Sequence, residues 1–248
     1  VIQNEWNAFA DGHRLTIEIG PGGNNTGIDA EIDAAWEKIS AANPRAFDGP
    51  ILAFVSADHA NNIVRARLDS YRRLAVQPAI DTGITLLGVT GVLEARDRSG
   101  TRHVLLGLRS HATRVFGGMW EFGPSGGVEP PANQQSAMDA GDLWRSLIGE
   151  IREEIGLRVD LEQTPPAGLL LDPAGQSVEL VFRVSLLETV EELTAMIDAP
   201  DRSQRWEYDA VRWVAIGELG AFASAQPCIQ STRALIGQIE RAESAGEI

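Results

Sequence analysis

Glu150-Ile151-Arg152-Glu153-Glu154-Ile155-Gly156-Leu157 carries three carboxylates at spacing i, i+3 and i+4. On a helix of roughly 3.6 residues per turn, Glu150 and Glu154 stack one turn apart with Glu153 beside them. Upstream, Leu143, Leu147 and Ile148 join Ile151 and Ile155 at helical spacing and define an apolar face. Gly156 is placed to stop that helix. Like charges one turn apart repel, and the helix dipole disfavours anions at a C-terminal end. A hard divalent cation reverses both penalties, because Mg²⁺ takes oxygen ligands from a few carboxylates, water and phosphate. The plainer alternative is a solvated acidic helix end.

The stretch before the helix bears on that choice. Trp120-Glu121-Phe122-Gly123-Pro124-Ser125-Gly126-Gly127-Val128-Glu129 predicts a strand running into a glycine loop. Strand, glycine loop and carboxylate helix in this order resemble the Nudix hydrolase family. Its motif is a glycine, five residues, a glutamate, seven residues, then Arg-Glu-apolar-x-Glu-Glu-x-Gly-apolar. Gly127 matches the leading glycine, and Glu150, Ile151, Glu153, Glu154, Gly156 and Leu157 match the end. Gly149 stands at the arginine position. The segment from Gly127 to Glu150 is about eight residues longer than the motif, and Asn133 occupies the five-residue offset of the first glutamate.

The N-terminal third adds to the resemblance. Ile32 to Glu37, Asn43 to Pro50 and Leu68 to Arg72 resemble the N-terminal extension of animal Nudix enzymes that hydrolyse UDP-glucose and UDP-galactose. Those enzymes also have an expanded segment before the helix and lack the arginine. The resemblance implies a fold and a domain plan. The fold is α+β, a Nudix α/β/α sandwich with a mixed sheet. Residues 1–78 form a small α/β extension and residues 79–248 the Nudix domain.

The pattern along the chain agrees with this plan. Arg14–Ile19, Ile51–Val55 and Asn62–Leu68 read as strands, with a helix after a cap at Asp29. Beyond residue 80, Ile84–Leu93, His103–Leu108, Trp120–Phe122, Leu169–Leu171, Val178–Leu187 and Val211–Val214 read as strands. Helices are expected at Val190–Ile197, Ala215–Phe222 and Ser231–Ala242. Strands interleaved with helices in this way indicate α+β. Trp36, Trp120, Trp144 and Trp213 sit in apolar patterns and read as core.

Composition narrows the function. The 248 residues carry a formal charge of −14, from 21 basic and 35 acidic side chains. That argues against nucleic acid and anionic membranes, which want a basic face. One cysteine, Cys228, permits no internal disulfide and fits a reducing compartment, so a cytoplasmic location is expected. No apolar run is long enough to span a bilayer. The partner is a small molecule, and the sequence is silent on oligomeric state.

The resemblance assigns Glu150 and Glu154 to Mg²⁺, with Mn²⁺ as the substitute ion. Glu153 ligates, binds through water, or acts as base. Glu207, just before the Val211 strand, is the candidate general base. Gly126 and Gly127 let backbone N–H groups approach a phosphate. Arg109 and Arg114 are candidate phosphate ligands, since a guanidinium fork matches phosphate. Tyr71 and Arg72 are candidates to meet the nucleotide from the extension. The expected reaction is Mg²⁺-dependent cleavage of a nucleoside diphosphate sugar, such as UDP-glucose, to UMP and sugar 1-phosphate. ADP-ribose or another nucleotide derivative is the alternative substrate. A non-catalytic nucleotide sensor on the same fold is the rival from another class.

Overall fold

A computed structural model describes residues 5–22, 27–43, 45–77, 79–132, 135–158, 161–198 and 206–246. Asn133 lies outside them. Twelve strands among the described residues join one mixed sheet. From residue 5 to 75 the elements are β1 (Glu5–Ala8), β2 (Thr16–Gly20), α1 (Asp29–Ala42), β3 (Pro50–Asp58), β4 (Ile63–Ser70) and α2 (Tyr71–Ala75). They lead to β5 (Leu86–Arg96), β6 (Arg102–Arg109), β7 (Trp120–Phe122), β8 (Ser125–Gly127), β9 (Ala137–Asp139) and α3 (Ala140–Glu150). The last third supplies β10 (Gly168–Asp172), β11 (Ser177–Thr189), α4 (Val190–Ile197), β12 (Tyr208–Ala215), α5 (Leu219–Ala225) and α6 (Gln230–Ala245).

β5 is the hub. It runs parallel to β11 and antiparallel to β3, β6 and β8. Because side chains alternate across a strand, its two faces feed two cores. Leu87, Val89, Leu93 and Ala95 pack with Val178, Leu180, Phe182 and Val184 of β11 under α3 and α4. On the opposite face Val92, with Val104, Leu106 and Val181, packs under α5 and α6. Helices therefore cover both faces of a mixed sheet, as the α+β sandwich reading requires.

The first 75 residues contribute directly to this sheet. β1 pairs with β10, β3 pairs with β5 at Ala53 and Leu86, and β2 pairs with β9. Leu15, Ile17, Leu52, Val64 and Ala66 are buried in the same core as α3. The long segment between Gly127 and Glu150 is anchored the same way. It returns through β9, where Met138 opposes Ile17 and is buried.

Several local details differ from the sequence reading. The helix expected at Ala215–Phe222 begins later: Ala215 ends β12, Ile216–Glu218 is a 3-10 turn and α5 covers Leu219–Ala225. Asp29 is the first residue of α1, and Ile28 holds the cap position without a side-chain hydrogen bond. The glycine segment at 125–127 is a short strand on β5 instead of a free loop. The carboxylate helix is not α-helical to its end. α3 starts at a reciprocal capping box between Asp139 and Asp142 and passes at Ile151 into one π-helical turn, Ile151–Ile155. Gly156, at φ 76°, ends it with an N–H bond of 3.0 Å to the Ile151 carbonyl. A glycine takes this left-handed conformation without strain.

Candidate active site

The π-helical turn, β8 and the segment entering β12 converge on a set of acids. Leu143, Trp144, Leu147, Ile151 and Ile155 fix the rotation of the helix by filling the core. That rotation turns Glu154 inward, where it is only 5% exposed. Glu154 Oε2 accepts the Ser125 N–H at 3.0 Å, while its Oε1 is buried and accepts no hydrogen bond. Glu150 lies against the backbone of Gly126. A Cβ at Gly126 would stand 2.0 Å from Glu150 Oε1. Glu207, one residue ahead of β12, is held by its carbonyl to Ser110 N–H at 2.7 Å. Its carboxyl comes within hydrogen-bonding reach of Glu154.

Burial followed by mutual repulsion dominates the electrostatics. Burial pushes Glu154 well above the usual carboxylate range, and Glu207, Glu150 and Glu121 push it further. Burial likewise pushes Glu150 up to about 7, helped by Glu207 and Glu153. The structure thus brings Glu150, Glu154 and Glu207 together. Glu153 is exposed on the outer side of the turn.

Beside these acids opens a cleft of about 230 Å³. Gly126, Gly127, Arg109, Arg114, Tyr71 and Glu207 all line it. Arg109 is tied by Nη1 to Glu121 and by Nε to the Val115 carbonyl at 3.1 Å. The Tyr71 ring packs edge-on against Trp36 at 6.2 Å, with its hydroxyl hydrogen-bonded to Arg114. These two contacts hold the Tyr71 ring in place at the cleft. Arg72 is not a cleft residue. Its Nη1 reaches Asp33 at 2.8 Å and its Nε lies 3.5 Å from Asp48, so it braces α1 and α2 within the extension. Nothing lies within 4 Å of a Cβ built at Gly149, so the motif's arginine position is open space here.

Two acids in the cleft, the buried Glu121 and the half-buried Glu179, were not picked out from the sequence. Glu121 of β7 accepts from Arg109 and from the Tyr208 hydroxyl at 2.9 Å. Gly123 and Gly107 make room for that tyrosine, since a Cβ at either would meet its ring or hydroxyl at about 2.4 Å. Burial raises Glu121 despite the arginine beside it. Glu179 of β11 sits over Gly88 and accepts from Thr90 Oγ1 at 3.2 Å. Burial pushes it up to about 7. Both lie on strands whose alternation reads as polar side chains facing solvent.

The donor set fits a hard cation. A buried carboxylate oxygen without a hydrogen bond, facing further carboxylates that repel it, is the environment that such an ion neutralises. Among the described residues, no three acidic, histidine or cysteine side chains already converge at metal-ligand distance. What the residues supply is charge and oxygen donors within reach of one another.

The raised acids fix a pH dependence. Glu150 and Glu179 bind protons more tightly folded than unfolded, since both stand near 7 against an ordinary 4.5. Their effect is harmless below the ordinary value and becomes destabilising as pH rises from about 4.5 to 7. In EDTA, the melting temperature is expected to fall by on the order of 5 °C between pH 5.5 and 7.5, after discounting the half-exposed Glu150 for solvent. Glu150→Gln with Glu179→Gln should flatten that slope in a calorimetric pH series. An unchanged slope would show that these groups ionise freely.

No protein-family model matches the chain. No curated protein sequence matches it. Several solved structures are similar to it. The MutT protein of Methanosarcina mazei Go1 is 18% identical with a TM-score of 0.42, over 64% of this chain and 95% of that one. A Nudix hydrolase from Alicyclobacillus acidocaldarius is 16% identical with a TM-score of 0.42, over 64% and 96%. A bifunctional NMN adenylyltransferase/ADP ribose pyrophosphatase from Francisella tularensis is 13% identical with a TM-score of 0.43, over 68% of this chain and 44% of that one.

Proposed function

We propose that this chain is a Mg²⁺-dependent Nudix-type hydrolase that splits a nucleoside diphosphate sugar. A UDP-sugar such as UDP-glucose is the first choice, giving UMP and sugar 1-phosphate. The observation that carries this reading is the buried Glu154, whose carboxyl is met by Glu207 and repelled by Glu150, next to a cleft that Glu207 and two arginines line. An exposed acidic helix end needs no such burial. The motif resemblance and the expanded N-terminal third support the choice of substrate.

In this reading Glu150 and Glu154 hold the cation, with Glu207 in reach of the same space. Bound there, Mg²⁺ supplies positive charge to the diphosphate oxygens and makes a water more acidic. Arg109, oriented by Glu121 and the Val115 carbonyl, and Arg114, oriented by Tyr71, meet phosphate oxygens at the cleft. Glu207 accepts a proton from the attacking water. The water oxygen bonds to one phosphorus, the bridging P–O bond breaks, and the leaving phosphate keeps the bridging oxygen with its electron pair. Residues 1–78 contribute Tyr71 to the nucleotide side.

The test is the position of the cut. With UDP-glucose in ¹⁸O-water and Mg²⁺, mass spectrometry should find UMP and glucose 1-phosphate, with label in a phosphate. Label on free glucose, with UDP as co-product, would overturn cleavage within the diphosphate. Tight nucleotide binding that needs no metal and yields no product would instead favour a sensor.

A further inference from the structure

The carboxylates and arginines account for the diphosphate and leave the most exposed aromatic side chain at the cleft without a task. Trp206 lines the cleft and is 38% exposed, among the few large apolar side chains that the described residues leave open. It directly precedes Glu207. The guanidinium of Arg45, from the turn after α1, stands over its ring at 5.3 Å from the centroid. A cation over one face fixes the indole and leaves the ring able to take a partner from the cleft side. The other four exposed large hydrophobic residues, Phe47, Val55, Leu187 and Met196, do not line this cleft.

We propose that Trp206, backed by Arg45, is the platform on which the nucleobase of the substrate stacks. This rests on the nucleotide reading above and extends it to the base. Trp206 and Glu207 are consecutive and both line the cleft, so a base on Trp206 shares that cleft with the carboxylate that faces Glu154. In a nucleoside diphosphate the ribose and one phosphate separate the base from the reactive bridge, so base and bridge occupy neighbouring parts of one cleft. Every base offers a flat π face, so such a platform recognises the ring more than its edge. Arg45 comes from the N-terminal extension and Trp206 from the approach to β12. The platform therefore draws on both ends of the chain.

The test is calorimetric binding of UMP and AMP to the full chain, comparing wild type, Trp206→Ala and Trp206→Phe, with melting temperature as the folding control. Base stacking on an aromatic side chain is sensitive to alanine substitution, so Trp206→Ala should weaken the bound nucleotide on the order of tenfold to a hundredfold. Trp206→Phe keeps a ring and should stay within about threefold. Equal affinity in all three proteins overturns the platform. So does an equal loss in both variants, because the ring would then not be what matters. Wild type that binds AMP but not UMP overturns the uridine choice, and the platform is then decided on AMP. Wild type that binds neither overturns the nucleotide reading and the platform with it.

Discussion

Glu154→Gln is expected to abolish turnover of UDP-glucose, by on the order of a thousandfold or more, while the protein stays folded. Glutamine keeps the shape and an oxygen for the Ser125 N–H, now 3.0 Å from Glu154. It loses the charge that a hard cation requires. Without metal the substitution should help the fold, because glutamine needs neither to carry charge beside Glu207, Glu150 and Glu121 nor to take up a proton on burial. The melting temperature in EDTA should therefore hold or rise. In wild type, Mg²⁺ should raise the melting temperature by mass action, and the variant should lose that response. Glu150→Gln should behave nearly the same. Glu153→Gln should be milder, since Glu153 is exposed. Full activity in both Glu150→Gln and Glu154→Gln would remove the metal site from this reading and the enzyme with it.

Gly126→Ala is expected to lower activity about a hundredfold without a chemical group being taken away. The added methyl would stand 2.0 Å from Glu150 Oε1 and 2.2 Å from its Cδ, so the carboxylate must move. Only the end of a flexible side chain is displaced, and the melting temperature should change by no more than a few degrees. Displacing a positioned catalytic group by about an ångström costs on the order of 10²-fold. Gly127→Ala is the contrast, because its methyl would meet only Leu86, at 3.7 Å. Kinetics and Mg²⁺ titration of the two variants decide the matter. If Gly127→Ala is hit as hard as Gly126→Ala, the backbone itself and not the seat of Glu150 is what the glycines provide.

Much of the architecture was legible because burial imposes a period. The apolar repeat from Leu143 to Ile155 indicated which way the carboxylate helix faces, and the core contains those residues. The helix read around Val190–Ile197 is α4. Other features leave no such trace. β8 and β9 are three residues each, too short for an alternation, and β8 is mostly glycine. The π-helical turn depends on backbone hydrogen bonds that composition does not encode. Glu121 and Glu179 alternate like solvent-facing residues, and only the folded chain around them withdraws them from water. Arg72 shows the reverse: its charge suggested a ligand, but Asp33 and Asp48, distant in sequence, had already engaged it.

The pairing of β2 with β9 makes two segments far apart in sequence depend on each other. The lengthened stretch ahead of the carboxylate helix supplies the strand that covers β2, and β2 supplies the seat for that stretch. A descendant that shed the first strands would bare the edge of β9 and the side of Met138. One that trimmed the stretch would bare β2 and Ile17. Exposed strand edges invite association with other chains, so either loss alone carries a cost that losing both together avoids. The two segments should therefore tolerate truncation together better than either tolerates it alone.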